Sequence, residues 1–114
     1  FDTNALFVAG TQVTPKFAAV TASSSGDTTV VSAVATKKIR VMGYLVTGNG
    51  AVNWRWESAT GGAITGLHYL ASAGQGAAPV FSPVGICETV AGEALQINLS
   101  SAIAVGGWLI YCEV

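Results

Sequence analysis

Two stretches of this sequence, residues 51–58 and 93–100, alternate regularly between apolar and polar side chains. A period of two residues is typical of a β-strand that is buried on one face and solvated on the other. The apolar face of these two predicted strands consists of Val52, Trp54, Trp56, Leu95, Ile97 and Leu99.

Six further strands are predicted, at residues 17–21, 28–34, 38–47, 63–69, 84–90 and 107–114. Glycine-rich turns separate them, and no stretch between them has a helical period. The Gly48-Asn49-Gly50 sequence accepts positive φ angles and predicts a β-hairpin that joins 38–47 to 51–58. We therefore expect an all-β fold: an antiparallel β-sandwich, jelly-roll-like, of about eight strands, in a single domain over residues 17–114.

The predicted strand at 38–47 is apolar on both faces. Ile39, Val41, Gly43 and Leu45 form one face, and the other carries further apolar side chains. We expect the second face to be covered by a partner chain. The interface residues predicted there are Met42, Tyr44 and Val46.

Residues 1–16 show no clear alternation of apolar and polar side chains, and the Thr14-Pro15 sequence marks the end of this segment. They are predicted to form an extended N-terminal arm outside the sandwich. Its apolar side chains would be exposed in isolation, so we expect the arm to dock on a partner chain. The docking residues predicted are Phe1, Leu6, Phe7 and Val8.

Charged residues make up only 10% of the 114 residues, and the net charge is −1. Ordinary globular domains carry about 25% charged residues, so we expect copies of the chain to cover part of its surface in a homo-oligomer. The small net charge provides no electrostatic attraction for nucleic acid or a membrane surface. The apolar stretches are too short to span a bilayer. Neither nucleic acid nor membrane is an expected partner.

No pattern of residues predicts a catalytic, cofactor or metal site. His68 is the only histidine, and no G-x-S-x-G motif accompanies it. Glu88 and Glu93 flank a turn and form the one carboxylate pair that approaches a glycosidase separation, but solvated strand ends explain them more simply. We expect no enzyme activity, no cofactor and no metal ion.

The cysteines and tryptophans also have structural interpretations. Cys87 and Cys112 lack C-x-x-C spacing, so free thiols are the simpler interpretation, while a disulfide stays open. Trp54 and Trp56 share a strand face, and Trp108 lies in the last predicted strand. We predict that all three pack in the core or in a subunit interface rather than forming a carbohydrate platform.

Two stretches resemble a known family. Residues 21–41 (TASSSGDTTVVSAVATKKIRV) and 91–114 (AGEALQINLSSAIAVGGWLIYCEV) are similar to small virion proteins of tailed bacteriophages, in the group of capsid decoration or cement proteins. The resemblance implies a jelly-roll-like subunit that forms a homotrimer and binds the outer surface of the phage head. There it would tie neighbouring major capsid proteins together, after synthesis in the host cytoplasm.

Two other functions stay open. A glycan-binding or host-attachment module on the head or tail would need an exposed Trp or Tyr beside Asn, Gln or Arg. An enzyme would need His68 within hydrogen-bond reach of a nucleophile and a carboxylate.

Overall fold

The computed structural model of the protein describes residues 6–114, and every regular element in them is a β-strand. Twelve strands are present: β1 (Leu6–Val8), β2 (Thr11–Val13), β3 (Lys16–Ala22), β4 (Gly26–Val31), β5 (Ile39–Gly48), β6 (Val52–Ser58), β7 (Gly62–Ala63), β8 (His68–Leu70), β9 (Gly76–Ala77), β10 (Cys87–Glu88), β11 (Leu95–Leu99) and β12 (Val105–Glu113). The predicted all-β class is confirmed.

Ten of the strands form two five-stranded antiparallel sheets that enclose one core. In the front sheet the order is β10-β5-β12-β3, with β9 also paired to β5. In the back sheet the order is β4-β11-β6-β7, with β8 also paired to β6. The antiparallel β-sandwich predicted from the alternation is confirmed.

The chain crosses between the sheets at each link from β3 through β6, and again from β8 to β9, from β10 to β11 and from β11 to β12. As a result β3 pairs with β12 and β4 pairs with β11, a nested pairing typical of a jelly roll. The hairpin predicted at residues 48–50 is wrong, because this turn leads from the front sheet to the back sheet. Both flanking strands carry large apolar side chains, and these are buried when the strands face each other across the core.

A β-bulge explains why β5 has apolar residues at every position. Along β12, Ile110 lies opposite Gly43 but Tyr111 lies opposite Val41, so Met42 is an extra residue in β5. One extra residue reverses the alternation of side chains. Val41 before the bulge and Tyr44 after it therefore both enter the core.

The prediction that Met42, Tyr44 and Val46 form a partner interface is wrong. Met42 and Val46 are completely buried and Tyr44 is 5% exposed within the chain itself. The bulge turns Tyr44 and Val46 toward the back sheet. The main chain around Ser82 runs beside Met42, with the Ser82 amide donating a hydrogen bond of 2.9 Å to the Met42 carbonyl oxygen.

The centre of the core is aromatic. Tyr44 of the front sheet meets Trp54 and Trp56 of the back sheet, and all three ring pairs are edge-to-face with centroids 5.4–5.5 Å apart. Both tryptophans are completely buried, which confirms their predicted place in the core. Edge-to-face packing adds about 0.5–1.5 kcal/mol per pair to the burial of the rings.

Within the predicted arm, residues 6–13 form a β-hairpin. Strands β1 and β2 pair only with each other, in a sheet separate from the sandwich. Ala9 and Gly10, with φ angles of 51° and 82°, form the two-residue turn that such a hairpin needs. Phe7 is 57% exposed, whereas Leu6 and Val8 are partly buried; Phe1 lies outside the described residues.

Two of the predicted strands are shorter than expected. The stretch 63–69 contains only the ends of β7 and β8, because the Thr65 hydroxyl accepts the hydrogen bond of the Trp56 amide in place of a main-chain carbonyl. The stretch 84–90 contains only β10, since Gly85 has a φ of 97° and interrupts extended backbone.

Candidate functional site

The middle of the outer face of the front sheet is apolar. In register across the sheet, Trp108 lies between Leu45 and Ala19, and Ile110 lies between Gly43 and Phe17. The core-facing neighbour Leu109 is completely buried, so the alternation of β12 directs Trp108 and Ile110 outward. These two rows contain no charged residue.

Phe81 extends this surface from the loop that follows β9. A Cβ atom placed on Gly43 would lie 3.5 Å from the Phe81 ring, an ordinary van der Waals distance, so Phe81 packs over Gly43. We call the surface formed by Phe17, Leu45, Phe81, Trp108 and Ile110 the apolar face.

Three aromatic residues dominate the apolar face, and all three are exposed: Phe17 by 77%, Phe81 by 48% and Trp108 by 47%. Val80 and Val84, beside Phe81, are exposed by 89% and 74%. Trp108 therefore lies outside the chain's own core, unlike Trp54 and Trp56. Of the two places predicted for the tryptophans, only a subunit interface stays open for Trp108.

The outer face of the back sheet has the opposite chemistry. The register places Asn53 beside Tyr69, Arg55 beside Asn98 and Glu57 beside Gln96. We call these six residues the polar face. Tyr69 is 74% exposed, while the Arg55 Nε donates a hydrogen bond of 2.6 Å to the Glu57 Oε2. The sandwich thus has one apolar and one polar outer surface.

His68 belongs to the core aromatic cluster. Its ring stacks on Trp54 with centroids 3.9 Å apart and an angle of 9° between the planes. Its Nδ1 lies 3.2 Å from the Trp54 carbonyl oxygen, which can only accept a hydrogen bond, so Nδ1 donates. In the neutral ring Nε2 then accepts from the Tyr44 hydroxyl at 2.8 Å. Both ring nitrogens are thus occupied by structural partners.

The two carboxylates that flank the turn at 91–92 have separate partners. Glu88 Oε2 accepts from the Arg40 Nη2 at 3.3 Å. Glu93 accepts from the hydroxyls of Ser58 and Thr60 and from the amides of Thr60 and Gly61. These hydrogen bonds lower the pKa of Glu93 to about 2. A general acid in a glycosidase needs a raised pKa, so this shift has the wrong direction for such a role.

Cys87 and Cys112 are free thiols, which confirms the simpler of the two interpretations. They flank β5 opposite Val41 and Arg40, consecutive residues that point to opposite faces of the sheet. Burial raises the pKa of Cys87 to about 12 and raises that of Cys112 as well. A raised pKa reduces the thiolate fraction and with it the reactivity of a cysteine.

Residues 6–114 bring together no group of three or more His, Cys, Asp or Glu side chains that could hold a metal ion. Within the same residues, no helix has the length and apolar character needed to cross a membrane. Comparisons with protein-family models, with curated proteins and with solved structures found no match for this chain.

Proposed function

We propose that this chain is a structural virion protein that binds the outer surface of a phage head as a homotrimer and cements neighbouring major capsid proteins. The observation that carries the proposal is the apolar face, a broad exposed surface without charge on a chain that has few charges in total. The resemblance of residues 21–41 and 91–114 to phage cement proteins supports the same conclusion.

The apolar face is assigned to contacts between copies of the chain. An aromatic side chain has a total area of about 150–250 Å². From their exposed fractions, the three aromatic residues together with Val80 and Val84 present on the order of 500 Å² of apolar side-chain area. A standard interface buries about 800 Å² on each partner. Phe17 lies on β3, the last strand of the front sheet, whose outer edge pairs with nothing in the described chain. A second copy placed there covers both the side chains and this strand edge.

The β1–β2 hairpin is assigned to docking, on a neighbouring subunit or on the capsid surface. It is separate from both main sheets, and Phe7 is 57% exposed on it. Burying one phenylalanine side chain contributes about 1.5–3 kcal/mol. A protein that binds only the intact lattice stabilises that lattice by its free energy of binding, summed over many sites. Such a function needs no catalytic turnover. The hydrogen bonds that hold the His68 and Glu93 side chains within the chain are consistent with a protein that is not an enzyme.

Electron microscopy of the source particle tests the assignment directly. We expect density for this chain on the outer surface of the head, in groups of three, with the apolar face between copies. Density on the tail, inside the head or nowhere on the particle would refute the proposal.

A mutational test measures trimer formation by the purified protein, in the absence of the capsid. Trp108→Glu places a charge on the apolar face and should convert the trimer to monomer in sedimentation velocity at micromolar concentration. Tyr69→Glu is the matched control, because it adds the same charge to an exposed aromatic position on the polar face. A wild-type protein that sediments as a monomer, or a Trp108→Glu variant that stays trimeric, would refute the assignment of the apolar face.

A glycan-binding module is the second candidate, and the polar face favours it. Tyr69 lies in register beside Asn53, with Arg55 two residues further along the same strand face. An exposed aromatic ring beside amide and guanidinium groups is the surface on which a sugar ring stacks and hydrogen-bonds. A glycan array probed with wild-type protein and with Tyr69→Ala tests this function. Binding that disappears in the variant would support the module, and no binding by the wild type would exclude it.

A further inference from the structure

Four of the five cationic side chains of the protein line a single cleft. Lys16, Lys37, Lys38 and Arg40 surround a space of about 680 Å³ between the β1–β2 hairpin and the end of the sandwich. The fifth, Arg55, lies on the polar face and is paired with Glu57. We call this space the basic cleft.

The cations of the basic cleft exceed the carboxylates around them. Lys16 pairs with Glu113 at 3.1 Å, and Glu88 pairs with Arg40 at 3.3 Å and lies 4.0 Å from Lys38. Lys37 has no carboxylate within 4.0 Å in residues 6–114. Among residues 6–114, four cationic side chains thus face two carboxylate side chains, in a chain whose net charge is −1. This local excess attracts anionic groups.

The main chain that carries the two neighbouring lysines is held on several sides. The Lys37 amide donates to the Val34 carbonyl, and the Lys37 carbonyl accepts from the Gly92 amide at 2.8 Å. Lys38 exchanges two hydrogen bonds with Val114, of 2.8 and 3.0 Å. Thr36, which precedes them, has a φ of 64°, an unfavourable conformation for a β-branched residue. A backbone fixed in this way presents the two ammonium groups from a stable position.

Besides these four cations and Glu113, the lining consists of apolar residues, three threonines and one amide: Val8, Ala9, Val13, Ala91, Val114, Thr11, Thr14, Thr36 and Gln12. All three residues of β2 border the cleft, and in the described chain β2 pairs with β1 alone. A two-stranded sheet leaves each strand with one unpaired edge, to which an extended peptide can add.

We infer that the basic cleft binds an extended acidic segment of another protein, whose carboxylates meet Lys37 and Lys38 and whose small apolar side chains contact the valine and alanine lining. A peptide fits better than a small anion, because the four cations come from three separate segments of the chain and the same cleft is also lined by valine and alanine. The inference goes beyond the cementing function and does not depend on the apolar face.

The test uses fluorescence anisotropy with the full chain and a labelled ten-residue peptide of alternating Glu and Val. We expect saturable binding that weakens as the salt concentration rises. The double variant Lys37→Gln/Lys38→Gln should weaken binding about tenfold or more. Lys37→Arg/Lys38→Arg is the matched control, since it keeps both charges and should retain binding. Circular dichroism of each variant verifies that it is folded.

Three outcomes would overturn the inference. One is the absence of binding by the Glu-Val peptide at millimolar concentration. Another is equal binding of a Gln-Val peptide, because charge would then not be the basis of recognition. The third is displacement of the peptide by inorganic phosphate at an equal concentration of charge, which would identify a small-anion site instead. The Trp108→Glu variant should bind the peptide like the wild type. Peptide binding and trimer formation can therefore be tested independently of each other.

Discussion

His68→Ala tests whether the single histidine is structural. In the folded protein this ring accepts from the Tyr44 hydroxyl at 2.8 Å and stacks on Trp54 at 3.9 Å. Alanine removes both contacts and leaves the Tyr44 hydroxyl beside a small void. Tyr44 is 5% exposed, and burial raises its pKa, so water has poor access to this hydroxyl. We expect a folded but clearly destabilised variant.

The magnitude follows from the contacts that are lost. A buried hydroxyl without a partner costs about 1–3 kcal/mol, and a stacked aromatic pair contributes about 0.5–1.5 kcal/mol beyond area burial. The free energy of unfolding of His68→Ala should therefore be lower by about 2–4 kcal/mol. For a domain of this size that corresponds to a fall in Tm of roughly 10 °C.

A double-mutant cycle with Tyr44→Phe isolates the hydrogen bond between the two side chains. Urea denaturation of the wild type, the two single variants and the double variant should give a coupling of about 1 kcal/mol. Tyr69→Phe is the control, since Tyr69 is exposed and its hydroxyl should matter by less than about 0.5 kcal/mol. A coupling near zero, or an unchanged urea midpoint for His68→Ala, would refute this reasoning. Loss of a measured hydrolytic activity from a stable His68→Ala protein would refute the absence of catalysis.

Three further predictions concern stability and docking. The pKa of Glu93 falls from 4.5 to about 2 on folding, so its contribution to the free energy of unfolding is complete above pH 4.5 and disappears as the pH falls toward 2. The urea midpoint of Glu93→Gln should therefore change less between pH 4.5 and pH 2 than that of the wild type. Gly107→Ala should destabilise the protein by more than about 3 kcal/mol, because its Cβ would overlap the Leu45 carbonyl at a φ of 153°, whereas Gly106→Ala should be tolerated in the same thermal melt, its nearest contact being 3.6 Å away. Deleting residues 1–13 should leave the Tm nearly unchanged, since the hairpin forms its own sheet, but should weaken co-sedimentation with phage heads; equal binding by the truncated protein would refute docking through this segment.

The strands that could be predicted from the sequence are those in which buried and solvated side chains alternate at every second residue. Trp54 and Trp56, and Ile97 opposite Trp56, alternate regularly with polar residues, and all of them are completely buried. In such strands the local pattern and the tertiary environment agree, so the sequence indicates both the element and its inward face. The all-β class and the sandwich followed from this agreement.

The bulge in β5 could not be predicted in this way. Its register depends on β12, a strand more than 60 residues away, and one extra residue at Met42 redirects every side chain that follows it. The local sequence is apolar at almost every position, so it fits either register. The same dependence on distant strands explains why the turn at 48–50 was predicted as a hairpin but connects two sheets.

The candidate surfaces divide in the same way. Alternation and composition alone determined that the chain forms β-strands and that Trp54 and Trp56 are buried. Only the tertiary structure decided that Trp108, Ile110 and Phe17 lie side by side on an open face, and that four cations from β3, β5 and the preceding loop surround one cleft. The physical reason is that a sheet brings residues together through hydrogen bonds between strands distant in sequence, and no local pattern specifies which strands will be neighbours.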